Sequence, residues 1–291
     1  MNRFIFLHVG KAGGSTLHCM LMNGNDKRWH CGPFKREIKP LISHHYLGQE
    51  RCHMRKNCSL DTDHQGVQGV FLAAVRNPIT RIISAFNYEK DIKWIQSQVP
   101  DFRGLCFPGN ITEFLLRGLA PTPTNDTTLY CWELAHNITT GVQKELVLSH
   151  FSNNYQYYES SFAATGKHLL TIRQTHMDDD FLNLETLLET GHIGNATVSL
   201  DNRVKAANKG KNQAKMDIIP KEAYVNACHV LCREIQSYKR FLYRAENLDD
   251  SMVEDSMSEL RDYCPNEGLS VRTDCPSTED LLAVGRLGHS S

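Results

Sequence analysis

The sequence has no stretch of about 18 apolar residues, which excludes a membrane-spanning helix within it. It also has no excess of either charge. Its 32 Lys plus Arg stand against 33 Asp plus Glu, a formal net charge of -1, so no global field would draw the chain onto nucleic acid or an anionic membrane. Any anion site must be local. The paired CxxC spacing that closes a structural zinc site is missing, and so is an internal repeat. The N-terminus lacks the long apolar core and small-residue cleavage site of a secretory signal. The order G-x-x-x-x-G-K-[ST] is absent from the one obvious glycine loop, because Lys11 precedes Gly13 and Gly14; this disfavours a nucleoside triphosphatase or P-loop kinase.

What is present fits a globular chain. With 291 residues, 41% hydrophobic and 22% charged, it can bury one α/β core with insertions. The expected division is a main domain over 1–248 and a C-terminal extension over 249–291, partly disordered and ending in disorder beyond Leu287. Ten cysteines without zinc spacing read as disulfides. N-x-[ST] sequons stand at Asn57, Asn110, Asn125, Asn137 and Asn195. Random placement of 19 Asn and 36 Ser plus Thr would give roughly two. The excess points to a glycoprotein of an oxidising lumen. A targeting element is then expected upstream of Met1. The alternative is a cytoplasmic protein with reduced cysteines and idle sequons.

Two strand, loop and helix units stand out. Phe4 to Val9 is a short apolar run, Gly10 to Gly14 a glycine loop, and Ser15 to Leu21 an apolar segment with a Ser/Thr start. Downstream, Val70 to Val75 is wholly apolar, Asn77 can cap, Pro78 suits the first helical position, and Ile79, Ile82, Ile83 and Phe86 share a helix face. A further strand is expected at His168 to Ile172. The helix after it starts near Asp178, turns Phe181, Leu184, Leu187 and Leu188 inward, and uses Asp178 to Asp180 to complement its dipole rather than to hold a metal. One long late helix is expected from Pro220, with Tyr224, Cys228, Leu231, Ile235, Tyr238 and Leu242 as its core stripe. Buried strands alternating with helices imply a parallel sheet covered on both sides.

A helix that starts right after a glycine loop offers unpaired amides and a positive dipole end to a phosphate or sulfate. Lys11 adds a charge there. Arg76 leaves the carboxyl end of a buried strand, where ligands bind in open α/β sheets, and Ser84 lies two helical turns on.

Together these segments resemble the sulfotransferases that use 3'-phosphoadenosine 5'-phosphosulfate (PAPS), in particular the Golgi carbohydrate enzymes that include the heparan sulfate 2-O- and 6-O-sulfotransferases. His8-Val9-Gly10-Lys11-Ala12-Gly13-Gly14-Ser15-Thr16 resembles the family's 5'-phosphosulfate loop, H-V-x-K-x-G-G-[ST]-[ST]. Arg76 through Phe86 resembles its 3'-phosphate motif, R-[DN]-P-x-x-R-x-x-S-x-[FY]. The resemblance implies an α/β, P-loop-like three-layer fold with a central parallel sheet flanked by helices. It implies that Lys11, Ala12, Gly13, Gly14, Ser15 and Thr16 hold the 5'-phosphosulfate, that Arg76 and Ser84 hold the 3'-phosphate, and that Lys209 and Lys211 stand in a basic loop over the donor. PAPS is the expected co-substrate, with no metal required.

The family's base lies between the two donor motifs, which makes His45, then His44, the expected catalytic histidines; both end the apolar run Pro40 to Ile42. His53 and His64 are further candidates, and Cys52 with Cys58 suggests a pinned insertion. The expected acceptor is a carbohydrate hydroxyl, on a glycosaminoglycan-like polysaccharide if the basic clusters near Lys35 and Arg51 take part, with no nucleic acid partner. Trp29, Trp94 and Trp132 are candidates to stack on sugar rings. The expected location is the Golgi lumen, as a type II membrane protein. An inactive nucleotide- or glycan-binding relative, or an enzyme for a non-sugar acceptor, is the alternative.

Overall fold

The computed structural model describes residues 4–7, 9–21, 46–49, 70–89, 101–108, 110–124, 127–140, 149–152, 154–163, 168–191 and 218–289. Among the described residues four strands run in the order β1 (Phe4–Leu7), β2 (Tyr46–Gln49), β3 (Val70–Val75) and β4 (His168–Arg173). The helices of eight residues or more are α1 (Gly14–Leu21), α2 (Pro78–Glu89), α3 (Leu129–Thr140), α4 (Tyr155–Ala163), α5 (Met177–Thr190), α6 (Lys221–Val230), α7 (Cys232–Arg244), α8 (Asp250–Arg261) and α9 (Thr278–His289). The chain falls into two compact units. The first comprises Met1–Arg76, Tyr158–Asn212 and Arg240–Ser256; the second comprises Asn77–Tyr157, Gln213–Lys239 and Met257–Ser291. This division differs from the expected break at 248, because both units draw on all three parts of the chain.

The first unit holds the sheet, an α/β arrangement with every strand pairing parallel in the order β2-β1-β3-β4. All six residues of β3 are buried, and so are the last five of β4. Strands buried on both faces need no polar alternation, which is why Val70 to Val75 reads as a continuous apolar run. From β1 the chain moves to one side to lay down β2, then crosses to the other side for β3. The carboxyl ends of β1 and β3 thus lie side by side where the winding reverses, the place at which open α/β sheets bind ligands.

The outer edge of β4 is closed by the segment that follows α7. Leu169 pairs with Ala245, and Glu246 donates its amide to the Leu169 carbonyl at 2.9 Å. The buried Asn247 side chain acts as one more strand residue: its Oδ1 accepts from the Thr171 amide at 2.7 Å and its Nδ2 donates to the Thr171 carbonyl at 2.8 Å. Beyond it, Asp180 accepts from both the amide and the guanidinium of Arg173, whose Nη1 also donates to the Met252 carbonyl at 2.6 Å. Burial pushes the Asp180 carboxyl up, while Arg173 and His176 pull it down. Asp178 to Asp180 do open α5, but Asp180 serves as the clamp on β4. In α5, Phe181 and Leu184 are fully buried, whereas Leu187 and Leu188 are only half-buried, which narrows the expected inward face. Gly191 ends the helix in a left-handed conformation, donating to the Leu187 carbonyl.

The second unit is helical. Phe86, Phe102, Phe107, Phe114 and Phe151 pack with ring centroids 5.1 to 6.1 Å apart. Phe102–Cys106 and Phe114–Gly118 form π-helical turns, and Asn226 Nδ2 satisfies the Leu115 and Leu116 carbonyls that the second one frees. Trp132 is wholly buried and donates to the Ala120 carbonyl at 2.7 Å, so it belongs to this core and not to a sugar platform. Trp29 and Trp94 lie outside the described residues.

The expected single late helix is two, α6 and α7, meeting at Leu231, which stays buried. Cys228 bonds Cys264 and Cys232 bonds Cys275, so both flanks of the break are tied to the C-terminal segment. That segment is helical through α8 and α9 and continues past Leu287 to His289. Its last helix is started by a reciprocal cap: Asp280 donates its amide to Ser277 Oγ at 3.0 Å, and Ser277 donates its own to Asp280 Oδ2 at 2.9 Å.

Cys106 bonds Cys131, and Cys19 is also disulfide-bonded; among the described residues no cysteine is free. Such bonds fit an extracytoplasmic or lumenal domain. No described helix is long and apolar enough to cross a membrane. Of the sequons, Asn110 is exposed and caps a short turn through Oδ1. Asn137 lies inside α3 with Thr139 fully buried, a poor acceptor in the folded chain. Asn57, Asn125 and Asn195 lie outside the described residues.

Candidate anion-binding site

The glycine loop connects β1 to α1 within the first unit. Ala12 donates its amide to the Val9 carbonyl at 3.3 Å, and the first bond into the helix runs from the Leu17 amide to the Gly13 carbonyl at 3.1 Å. Helix geometry turns the first amides of α1 outward from the helix, toward acceptors beyond it. Two residues take the left-handed backbone region, Lys11 at φ 61° and Gly13 at φ 88°. For lysine that conformation costs on the order of 1–2 kcal/mol, a strain of the kind that gathers at ligand clamps. Gly13 has a second reason to be glycine: a Cβ there would sit 2.8 Å from Met177 Cε and 2.9 Å from Gln174 Cγ.

Arg76 follows β3 directly and is half-buried. Its Nη1 lies 3.4 Å from the Lys11 carbonyl oxygen, which it faces as donor. The loop, a helix N-terminus, Lys11 and Arg76 therefore share one edge of the sheet, and their joint electrostatics favour an anion. Ala12 and Gly14 are buried in the loop floor, and Thr16 is half-buried in the first turn of α1. Ser15 lies in that turn as well.

The second unit starts at Asn77, which caps α2 as expected: Oδ1 accepts from the Ile79 amide at 3.0 Å, and Nδ2 donates to the Glu259 carbonyl at 3.1 Å. Ser84 is half-buried two turns into α2. The second basic position of the motif, Arg81, has a role that spacing did not reveal. It is fully buried and grips Glu234 of α7 with Nε at 2.5 Å and Nη2 at 2.8 Å, while Nη1 donates to the His150 carbonyl at 2.7 Å. Burial pushes the Glu234 carboxyl up against the pull of Arg81. A charged residue set inside each of two apolar stripes was the available signal.

Sequence reasoning also missed Gln174, His176 and Met177, the turn between β4 and α5 that packs on Gly13. The signal for it is position, since this turn leaves the carboxyl end of a parallel strand. His44, His45, Lys209 and Lys211 lie outside the described residues, as do His53 and His64. Among the described residues no three His, Cys, Asp or Glu side chains gather as a metal site. No family model matches the chain, and neither does any curated protein or solved structure.

Proposed function

We propose that this chain is a sulfotransferase that moves the sulfuryl group of PAPS to a hydroxyl of a carbohydrate acceptor, with a P-loop-like three-layer fold. The main support is the contact of Arg76 with the Lys11 carbonyl, which joins the two segments that carry the family resemblance at the switch point of the sheet. In this assignment the amides of Gly13 and Gly14 and the Lys11 ammonium hold the 5'-phosphosulfate, with Ser15 and Thr16 beside them. Arg76 takes the 3'-phosphate, and Ser84, Lys209 and Lys211 keep the donor roles that the resemblance implies.

The acceptor oxygen attacks sulfur in line as the bond from sulfur to the bridging phosphate oxygen breaks, and the electron pair moves onto that oxygen of the departing 3'-phosphoadenosine 5'-phosphate (PAP). Lys11 and the loop amides are fixed donors for that growing charge and need no rearrangement to meet it. The reaction releases one proton from the acceptor and calls for no metal. A lumenal enzyme of the Golgi acting on a glycosaminoglycan-like polysaccharide is a setting compatible with the disulfides.

The test is transfer of labelled sulfate from PAPS across glycans, phenols and tyrosine peptides, with PAP binding measured alongside. Transfer to a glycan that is lost in Lys11→Ala supports the assignment. PAP binding without transfer to any acceptor would mark an inactive relative, and transfer that survives Lys11→Ala refutes the donor loop.

A further inference from the structure

Sulfuryl transfer needs a group at the carboxyl edge of the sheet to accept the acceptor's proton, and the first unit places a histidine there that no motif singled out. β4 runs parallel to β3 with Val75 level with Arg173, so Arg76 and Gln174 leave the sheet side by side. The turn that follows touches the glycine loop, since a methyl group on Gly13 would meet both Gln174 and Met177 within 3 Å. His176 lies between those two contacts. It is half-buried, with φ -116° and ψ 24°, and is held between a 3-10 turn and the first turn of α5. Asp180, four residues on and clamped by Arg173, is near enough for a charge on His176 to act on its carboxyl. The other described histidines of the unit are placed differently. His168 begins β4 at the opposite edge and pairs with Glu246, and His18 is buried in α1.

We infer that His176 is the general base of the transfer, accepting the proton of the attacking hydroxyl while the new bond from oxygen to sulfur forms. The imidazolium then gives that proton to solvent once the sulfated acceptor and PAP have left. The assignment rests on the donor site proposed above, and it competes with His45 and His44 for the same role.

The experiment uses the full chain, labelled PAPS and chemically desulfated glycosaminoglycan chains as the probe acceptor. His176→Gln and His176→Ala are expected to lower kcat by about 100-fold or more, the usual contribution of a positioned base, while PAP affinity stays within about twofold. Added imidazole should restore part of the rate to His176→Ala, which a purely structural role would not allow. A second measurement needs no variant: PAP should protect His176 of the wild-type chain from carbethoxylation, read by peptide mass. Transfer by His176→Gln at the wild-type rate, or loss of transfer in His45→Ala alone, overturns the assignment. So does equal labelling of His176 with and without saturating PAP when PAP binds. Failure of PAP to bind at all is a different result, because it removes the donor site and this inference together.

Discussion

The guanidinium of Arg76 faces the carbonyl oxygen of Lys11 across 3.4 Å, although 65 residues separate them in the chain. The contact exists because β1 and β3 are neighbours with parallel direction, so the loop after one strand meets the first residue after the other. A phosphate entering this edge would offer Arg76 a better acceptor than a peptide carbonyl, since it carries the opposite charge and can accept two parallel bonds from the guanidinium. Arg76→Ala is therefore expected to weaken PAP binding by at least about tenfold, or 1.4 kcal/mol. Calorimetric titration checks it, with the melting temperature of the unliganded chain as a control for folding.

Gly13→Ala should damage both stability and binding. The backbone stands at φ 88°, and the new methyl would overlap Met177 Cε and Gln174 Cγ. Relief requires the loop or the turn after β4 to move, at a cost of about 1–3 kcal/mol. Urea denaturation should show that loss, and PAP affinity should fall in the same variant.

Breaking the buried pair in the second unit is expected to be costlier. Glu234→Ala strands the Arg81 guanidinium, which has no exposure to water, and should destabilise by about 3–5 kcal/mol. A double change to Arg81→Met with Glu234→Leu removes both charges and should recover most of that loss. If the single and double variants melt alike, the ion pair contributes little.

His136 predicts a pH response. Its Nδ1 donates to the Trp132 carbonyl at 3.0 Å, and burial lowers its pKa from 6.5 to about 4. Because the folded value lies below the unfolded one, the folded state binds fewer protons. Its stabilising share is complete above pH 6.5 and is lost as pH falls toward 4, reaching about 3 kcal/mol. Denaturation curves at pH 7 and pH 4.5 should converge for His136→Leu and separate for the wild type.

Much of the sheet edge could be read from residue order alone, because glycine, asparagine and proline report local backbone needs. Gly13 and Asn77 behave as their types suggest, whereas the left-handed backbone of Lys11 does not follow from lysine. What stayed hidden depends on which strands become neighbours. Nothing near Gln174 and Met177 in the chain reveals that they will lie against Gly13, more than 160 residues earlier, since that follows from the order β2-β1-β3-β4. Arg81 was hidden for another reason: a charge inside an apolar face is legible only once Glu234 is found opposite. The break at Leu231 was missed because the apolar stripe continues through it while the helix does not.

Reduction supplies a further test of the second unit. Cys228–Cys264 and Cys232–Cys275 close loops of 36 and 43 residues. In the chain-entropy view each contributes about 4 kcal/mol by restricting the unfolded chain. Cys264→Ser is expected to lower the melting temperature markedly and to speed proteolysis of the segment beyond Arg261.

The side chain of Asn247 has an outcome for how copies of this protein behave when concentrated. Leu169 O, Thr171 N and O, and Arg173 N are all engaged by residues of the same chain. A strand from another molecule approaching β4 would find no open ladder to join, so edge-to-edge growth along that rim is blocked without a proline or a bulge. Asn247→Ala would unmask two of those groups at once, and a newly sticky sheet border, seen as light scattering at temperatures where the fold still holds, should follow.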